Sequence, residues 1–376
     1  MPTQHSQALE ALLRRGRLRT LEPRSGADFT SNDYLGLADS PELRAAIAEA
    51  LERGVPAGAG GSRLLRGNHP EHEALEAEAA AHFRAEAALY FGGGFIANTA
   101  IFSTLPARGD LIVHDELVHA SAHEGMKLSK ASRVAVRHND PQAVEDAIAM
   151  WRQSGAKGQP WIAIESLYSM DGDRAPLEAL AAVAGAHEAM LVIDEAHATG
   201  VLGPDGRGLS ASLEGRANVI TLHTCGKALG VMGALVLSAR EIRDFLVNRS
   251  RAFIYATAPA PLMAAAVGAA LKISMSQPER RERLHALVAF AGRELAASGF
   301  ENSGSHIQPI IVGSDARAVA LANALKARGF DIRAIRPPTV PEGTARLRLT
   351  LTLNTDEATV KALIIALAEE QARLAA

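Results

Sequence analysis

The sequence predicts an α/β fold built on a mainly parallel β-sheet, and three observations carry that prediction. Short β-branched or apolar runs alternate with longer Ala-rich amphipathic stretches. Apolar residues make up 48% of the 376-residue chain and aromatics only 4%, so a large core can be buried, and it is expected to be aliphatic and largely helical. Polar residues stand directly after three of the apolar runs, at the carboxyl ends of strands, where such sheets gather their sites.

Taken in order, AALYF (87–91), DLIVH (110–114), WIAIE (161–165), MLVID (190–194), NVITL (218–222) and GALVLS (233–238) read as buried strands. Helical patterns separate several of them, at 70–84, 140–153 and 176–189. Strands that alternate with helices pair in parallel, because a parallel crossover needs a connection of that length. One long helical stretch is expected over roughly 260–298, ending at the loop SGFENSGSH. Beyond it, strands at 307–313, 330–336 and 345–351, with helices near 315–328 and 356–373, predict a smaller α+β unit. The expected division is an N-terminal arm over 1–45, a large domain over 46–275 and a small C-terminal domain over 276–376.

A formal net charge of −3 and the lack of a basic stripe argue against a nucleic-acid partner. The local cluster Arg14, Arg15, Arg17 and Arg19 reads, for most of its members, as a solvated helix face. A single cysteine, Cys225, rules out a disulfide within the chain and fits a reducing compartment. The stretch MPTQHSQALEALLRR lacks the apolar core of a signal peptide, and no run of about 18 apolar residues reads as a membrane span. The expected location is the cytoplasm.

Asp194-Glu195-Ala196-His197-Ala198-Thr199-Gly200 follows one apolar strand. Asp-Glu-Ala-His on its own suggests a helicase-type ATPase box, which requires a phosphate loop elsewhere. None exists, since Gly226-Lys227 is followed by Ala228 and position 221 is Thr. Thr224-Cys225-Gly226-Lys227-Ala228-Leu229-Gly230 follows the next strand. A lysine among small and apolar residues is poorly solvated, which favours the neutral amine that a Schiff base needs. Taken alone it reads equally as a surface-loop lysine, and Asp194 taken alone reads as a helix N-cap. Together, 33 residues apart on adjacent strand ends, they suit pyridoxal phosphate: the lysine anchors the cofactor and the carboxylate keeps the pyridine nitrogen protonated.

Gly92-Gly93-Gly94-Phe95-Ile96-Ala97-Asn98 lies between a strand and a helix, where glycines and free N–H groups can cradle a phosphate. A lone glycine run also fits a tight turn, and Ala97 breaks the dinucleotide fingerprint. His119, after DLIVHDE, is a candidate to stack on the cofactor ring. His69, His72, His82 and His123 show no metal-ligand spacing, and no metal site is expected. Arg346 and Arg348, two apart on an expected strand, face the same way, so either can grip a carboxylate or both can belong to a polar sheet face.

Asn32-Asp33-Tyr34-Leu35-Gly36, Gly60-Gly61-Ser62-Arg63, Ser169-Met170-Asp171-Gly172-Asp173, and the Asp194 and Lys227 segments together resemble the α-oxoamine synthases, from about residue 19 to 352. The resemblance implies a fold-type I pyridoxal-phosphate transferase with a mainly parallel seven-stranded sheet and a smaller α+β C-terminal domain. The string from Ile335-Arg336-Pro337-Pro338 through Thr344-Ala345-Arg346-Leu347-Arg348, with Leu18-Arg19-Thr20-Leu21-Glu22-Pro23, resembles the branch that joins L-alanine to a pimeloyl thioester. The acyl carrier in that branch is coenzyme A or acyl carrier protein.

Carried over residue by residue, the resemblance gives Lys227 the Schiff base, Asp194 the pyridine nitrogen and His197 the ring hydroxyl. His119 would stack on the ring and face the substrate. Gly94, Phe95 and Thr224 would hold the phosphate, Ser169 would border the ring and Glu165 would support the site. Arg19, Asn32 and Thr339 would touch substrate, and Arg348, with Arg346 as the alternative, would hold the amino-acid carboxylate. The family works as a homodimer, which implies that Thr257 reaches the partner's phosphate site. Gly93 and Cys225 depart from the family pattern, and neither removes a reacting group.

Overall fold

The computed structural model describes residues 3–375 and divides the chain into two units. One unit comprises Leu35–Ser169 and Arg174–Arg281; the other comprises the segment up to Tyr34, Met170–Asp173 and the chain from Glu282 onward.

The first unit is organised on a seven-stranded sheet. Its strands, in spatial order, are Ala87–Phe91, Ala234–Ser238, Val219–Thr224, Met190–Asp194, Pro160–Glu165, Leu111–Asp115 and Ser132–Val136. Ala234–Ser238 runs antiparallel to both neighbours and every other pair is parallel. All six apolar runs marked in the sequence are strands. They are legible because helices cover both faces, so almost every residue along them is buried and apolar. Helices Gly94–Thr104 and Ala120–Leu128 share one apolar cluster with the sheet, around Phe91, Ile101, Met126 and Val236. Helices Pro141–Gln153 and Leu177–Ala186 share another, around Val113, Ile148, Leu180 and Ile193. Pro70–His82 and Pro261–Ser276 complete the cover around Tyr90, Leu235 and Val267. Helix starts follow local chemistry: at Asp140 the side chain accepts from Ala143 N–H at 2.9 Å and Pro141 opens the helix.

The order of the parallel strands reverses between Leu111–Asp115 and Pro160–Glu165, because the chain leaves the first toward the Ser132–Val136 edge and returns to start the second on its other side. The carboxyl ends beside such a reversal form the crevice of a doubly wound sheet.

The second unit holds a three-stranded antiparallel sheet, with Ala345–Thr350 between Ala334–Ile335 and Ile307–Gly313. A two-residue parallel pair joins Ala27–Asp28 to Phe330–Asp331. Helices Asp315–Ala327 and Glu357–Ala375 pack with Leu347, Leu349 and Phe29 into its core.

Three sequence expectations are corrected, and one strand was not foreseen. The stretch 260–298 is two helices, Pro261–Ser276 and Pro278–Ala297, with Gln277 at φ −121° and ψ 64° between them. Pro278 explains the break, since proline lacks the N–H donor and disfavours helix in the residue before it. The run 330–336 is split between Phe330–Asp331 and Ala334–Ile335, which pair in different sheets; Asp331 and Ile332 are both buried, so no single alternation spans the run. Ser132–Val136 is a strand that the sequence does not announce, because it lies exposed at the sheet edge. Of the arginine cluster only Arg14 lies in helix Gln4–Arg14; Arg17 instead pairs with Asp315 and Glu342, each at 2.6 Å. Among the described residues no helix is long and apolar enough to cross a membrane.

Candidate active site

Four strand ends of the first unit bring the chemistry together. Asp194 ends its strand, and each of its carboxylate oxygens accepts one hydrogen bond. Oδ1 takes the Ala196 N–H at 2.9 Å, and Oδ2 takes the Asn98 side-chain amide at 2.8 Å. Hydrogen bonds to a charged group contribute about 1.5–3 kcal/mol each, so this pair fixes the carboxylate in place. His197 is buried in the turn that follows, three residues on.

Thr224 ends the next strand. Its hydroxyl lies 3.4 Å from the Ala196 carbonyl and 3.4 Å from Lys227 Nζ. The loop carrying half-buried Lys227 is pinned by backbone bonds from Cys225 N–H to Gly233 O at 2.9 Å and from Val231 N–H to Cys225 O at 3.0 Å. Gly230 closes the loop at φ +68°, and a Cβ there would meet Ala38 N at 2.5 Å, so only glycine fits.

Helix Gly94–Thr104 opens against Thr224. A Cβ on Gly94 would lie 2.6 Å from Thr224 Cγ2, and the preceding Gly93 offers no side-chain cap to the helix. Its first N–H groups are left for another acceptor. Phe95 is 52% exposed, so it contributes backbone rather than core packing at this point.

His119 caps helix Ala120–Leu128 at the end of the Leu111–Asp115 strand, with its side chain exposed. Glu165 ends the Pro160–Glu165 strand and accepts the Ser169 N–H at 3.1 Å; both residues are buried. Thr257 is exposed on the segment before helix Pro261–Ser276.

Two residues that the sequence pattern does not mark connect this set. Asn98 also donates to Ser121 Oγ at 2.9 Å, and that oxygen lies 2.7 Å from His119 Nδ1. A continuous chain therefore runs from the Asp194 carboxylate to the His119 imidazole. The available signal is that Asn98 stands polar and 2% exposed inside the apolar helix GFIANTAIFST. Asp115 is the other: it accepts from His138 Nδ1 at 3.0 Å, from Asn139 N–H at 2.7 Å and from Leu117 N–H at 2.8 Å, and so anchors the loop toward His119.

Arg19, Asn32, Thr339 and Arg348 belong to the second unit. Arg348 donates from Nη1 and Nη2 to Asn32 Oδ1, both at 3.1 Å, and to Thr350 Oγ1 at 2.8 Å. Arg346 is ion-paired with Asp171 and donates to the Met170 carbonyl. Arg19 and Thr339 are exposed. Among the described residues no group of His, Cys, Asp and Glu is arranged to hold a metal ion.

These residues fit pyridoxal phosphate on this structure's own terms: an uncapped helix start beside a glycine that must lack a Cβ, a lysine amine beside it, and a carboxylate held by two donors. The mainly parallel sheet and this lysine–carboxylate pair on adjacent strand ends define a fold-type I pyridoxal-phosphate enzyme. The chain belongs to the family of class I and II aminotransferases, whose profile matches residues 25–367. It is 45% identical over 347 residues to an 8-amino-7-oxononanoate synthase of Chromobacterium violaceum, covering 92% of this chain and 89% of that protein. It is also similar to the crystal structure of 8-amino-7-oxononanoate synthase from Francisella tularensis, with TM-score 0.79 and 29% identity over 94% of this chain and 99% of the other. An SPT structure with a PLP internal aldimine matches at TM-score 0.86 and 28% identity, over 92% of this chain and 87% of the other.

Proposed function

We propose that this chain joins L-alanine to a pimeloyl thioester, carried on coenzyme A or acyl carrier protein, and releases CO2, the free carrier and 8-amino-7-oxononanoate for biotin synthesis. The observation that carries the chemistry is the pairing of Lys227 with Asp194 at adjacent strand ends, the first beside the Gly94 helix start and the second fixed by two donors. The choice of substrates follows the relatives, which share that name at this level of identity.

Bound pyridoxal phosphate supplies an electron sink for the amino acid's Cα. The chain's residues do the rest. Lys227 Nζ would hold the cofactor, and its free amine would take the amino acid's Cα proton as general base. Asp194 pairs with the ring nitrogen and keeps it protonated. His197 donates to the ring hydroxyl, which Ser169 borders. His119, tied to Ser121 and open on its ring face, stacks against the ring and keeps water from the reacting carbon. Backbone N–H groups at Gly94 and Phe95, with the Thr224 hydroxyl, hold the phosphate.

Arg348, held by the neutral side chains of Asn32 and Thr350, is assigned the amino-acid carboxylate, and Arg346 keeps its ion pair with Asp171. Arg19, Asn32 and Thr339 take the remaining substrate contacts. The working form is a cytoplasmic homodimer in which Thr257 serves the partner's phosphate site. Exposed Phe95, Ile96 and Tyr255 supply apolar surface for that contact.

The test is an absorbance scan of purified protein with pyridoxal phosphate and alanine, followed by product mass with pimeloyl-CoA. Lys227→Ala is expected to abolish both the lysine-dependent band and turnover. Near wild-type turnover in that variant refutes the assignment of Lys227. Product from glycine and acetyl-CoA in place of alanine and pimeloyl-CoA refutes the substrate assignment.

A further inference from the structure

Three carboxyl groups stand on three neighbouring strand ends of the first unit: Asp115, Glu165 and Asp194, with Glu165 in the middle. Glu165 and Asp194 are register partners across a parallel pair, so their side chains leave the sheet on the same face. The outer two are well supplied with donors. Burial works against ionisation of Asp115, but the His138 side chain and the N–H groups of Asn139 and Leu117 outweigh it and hold its carboxyl below the ordinary range. Asp194 has the Asn98 amide and the Ala196 N–H.

Glu165 is supplied differently. It is 3% exposed, Oε2 accepts only the Ser169 N–H, and Oε1 is buried with no hydrogen-bond partner among the described residues. With Asn98, Val118, His119 and Asp194 it lines a water-sized gap of about 10 Å³ at these strand ends. Leaving a charged oxygen buried and unmatched costs several kcal/mol, and a group so placed takes up a proton instead. Burial first, then Asp194, push the Glu165 carboxyl well above the ordinary carboxylate range, with Asp115 adding to them; Lys227 and the Ser169 N–H oppose this and are outweighed. Tyr168, on the same loop, faces both Asp115 and Glu165 and donates no charge to offset them.

We propose that Glu165 works as a neutral carboxylic acid, whose O–H donates a hydrogen bond to an anionic oxygen of the ligand bound in the crevice, leaving Asp194 as the carboxylate for the ring nitrogen. This rests on the pyridoxal-phosphate reading of the same crevice. It turns Glu165 from a supporting side chain into a ligand-binding donor, and it explains how a second buried carboxyl is tolerated beside Asp194.

Two substitutions read the proton and the donor separately. Glu165→Gln keeps a donor and removes the titration; Glu165→Met removes both. A carboxyl raised above its unfolded value binds more protons in the folded state. Its stabilising contribution is therefore complete below about pH 4.3 and is lost as pH rises toward the folded value. Wild type should lose folding equilibrium constant relative to either variant by up to about tenfold per pH unit across that window. Other buried acids are common to all three proteins and cancel in the difference. In the loaded enzyme the Met variant should show an alanine KM roughly tenfold above that of the Gln variant.

A pH-independent stability difference for both variants overturns the neutral acid. So does a folded, cofactor-binding Gln variant that has lost activity a hundredfold or so. Equal KM values for Gln and Met overturn the donor role. If one variant does not fold, the other still completes the stability comparison. A wild type that binds no cofactor defeats the site assignment instead, and the stability arm then reads the Glu165 proton on its own.

Discussion

Asn98 is the residue whose removal tests the site's construction most directly. Its amide donates at 2.8 Å to Asp194 and at 2.9 Å to Ser121, from a position 2% exposed. Asn98→Ala removes one hydrogen bond to a charged group, about 2 kcal/mol, and one between neutral groups, about 1 kcal/mol. The expected loss is about 3 kcal/mol, which lowers the melting temperature by roughly 6–12 °C. Asn98→Asp is nearly isosteric but places an acceptor where Asp194 needs a donor. Two carboxyls at that distance share one proton, so one of them is raised above its unfolded value of about 3.9. A raised acid stabilises below that value and loses its contribution as pH rises. Asn98→Asp should therefore approach Asn98→Ala in stability near pH 4 and fall progressively below it toward pH 8. Circular-dichroism melting of wild type and both variants across that range is the assay. Parallel pH profiles for the two variants would show that the Asn98 amide does not face Asp194, and the chain from Asp194 to His119 would be wrong.

Two further outcomes are expected. Burial, with Arg207 second, pushes His82 down to about 4, and burial, with His82 second, pushes His223 down to about 3. Both folded values lie below the unfolded imidazole value of about 6.5, so the native state binds fewer protons; stability is intact above that pH and falls as pH drops toward 4 and then 3. His82→Asn should flatten the first part of that acid limb in an equilibrium denaturation series, and an unchanged slope refutes the assignment. Arg348→Lys should raise the alanine KM by about tenfold to a hundredfold, since an ammonium cannot make two parallel bonds to a carboxylate. Arg346→Lys should instead weaken its half-buried pair with Asp171 and lower stability at near-normal KM; the reverse pattern in steady-state kinetics exchanges the two roles.

The sheet was readable because its inner strands are buried on both faces, so Val, Ile, Leu and Ala run without interruption in AALYF or MLVID. The edge strand Ser132–Val136 has the opposite property: four of its five residues are exposed, and its sequence carries no burial signal to read. The same logic divides the site. Lys227, Asp194 and His197 follow strands and sit in recognisable strings, so their presence is written locally. Asn98 meets Asp194 across 96 residues of chain, and nothing within its helix announces the partner.

The state of Glu165 is hidden more deeply still. It depends on which strand ends stand beside the Pro160–Glu165 strand, and that follows from the direction of two crossovers, which no local pattern records. Had the chain returned from Ser132–Val136 along the same edge, Glu165 would stand away from the strand that ends in Asp115. The reversal of strand order thus does two things in this protein. It opens a crevice at the strand carboxyl ends, and it sets the Pro160–Glu165 strand between those that end in Asp115 and Asp194.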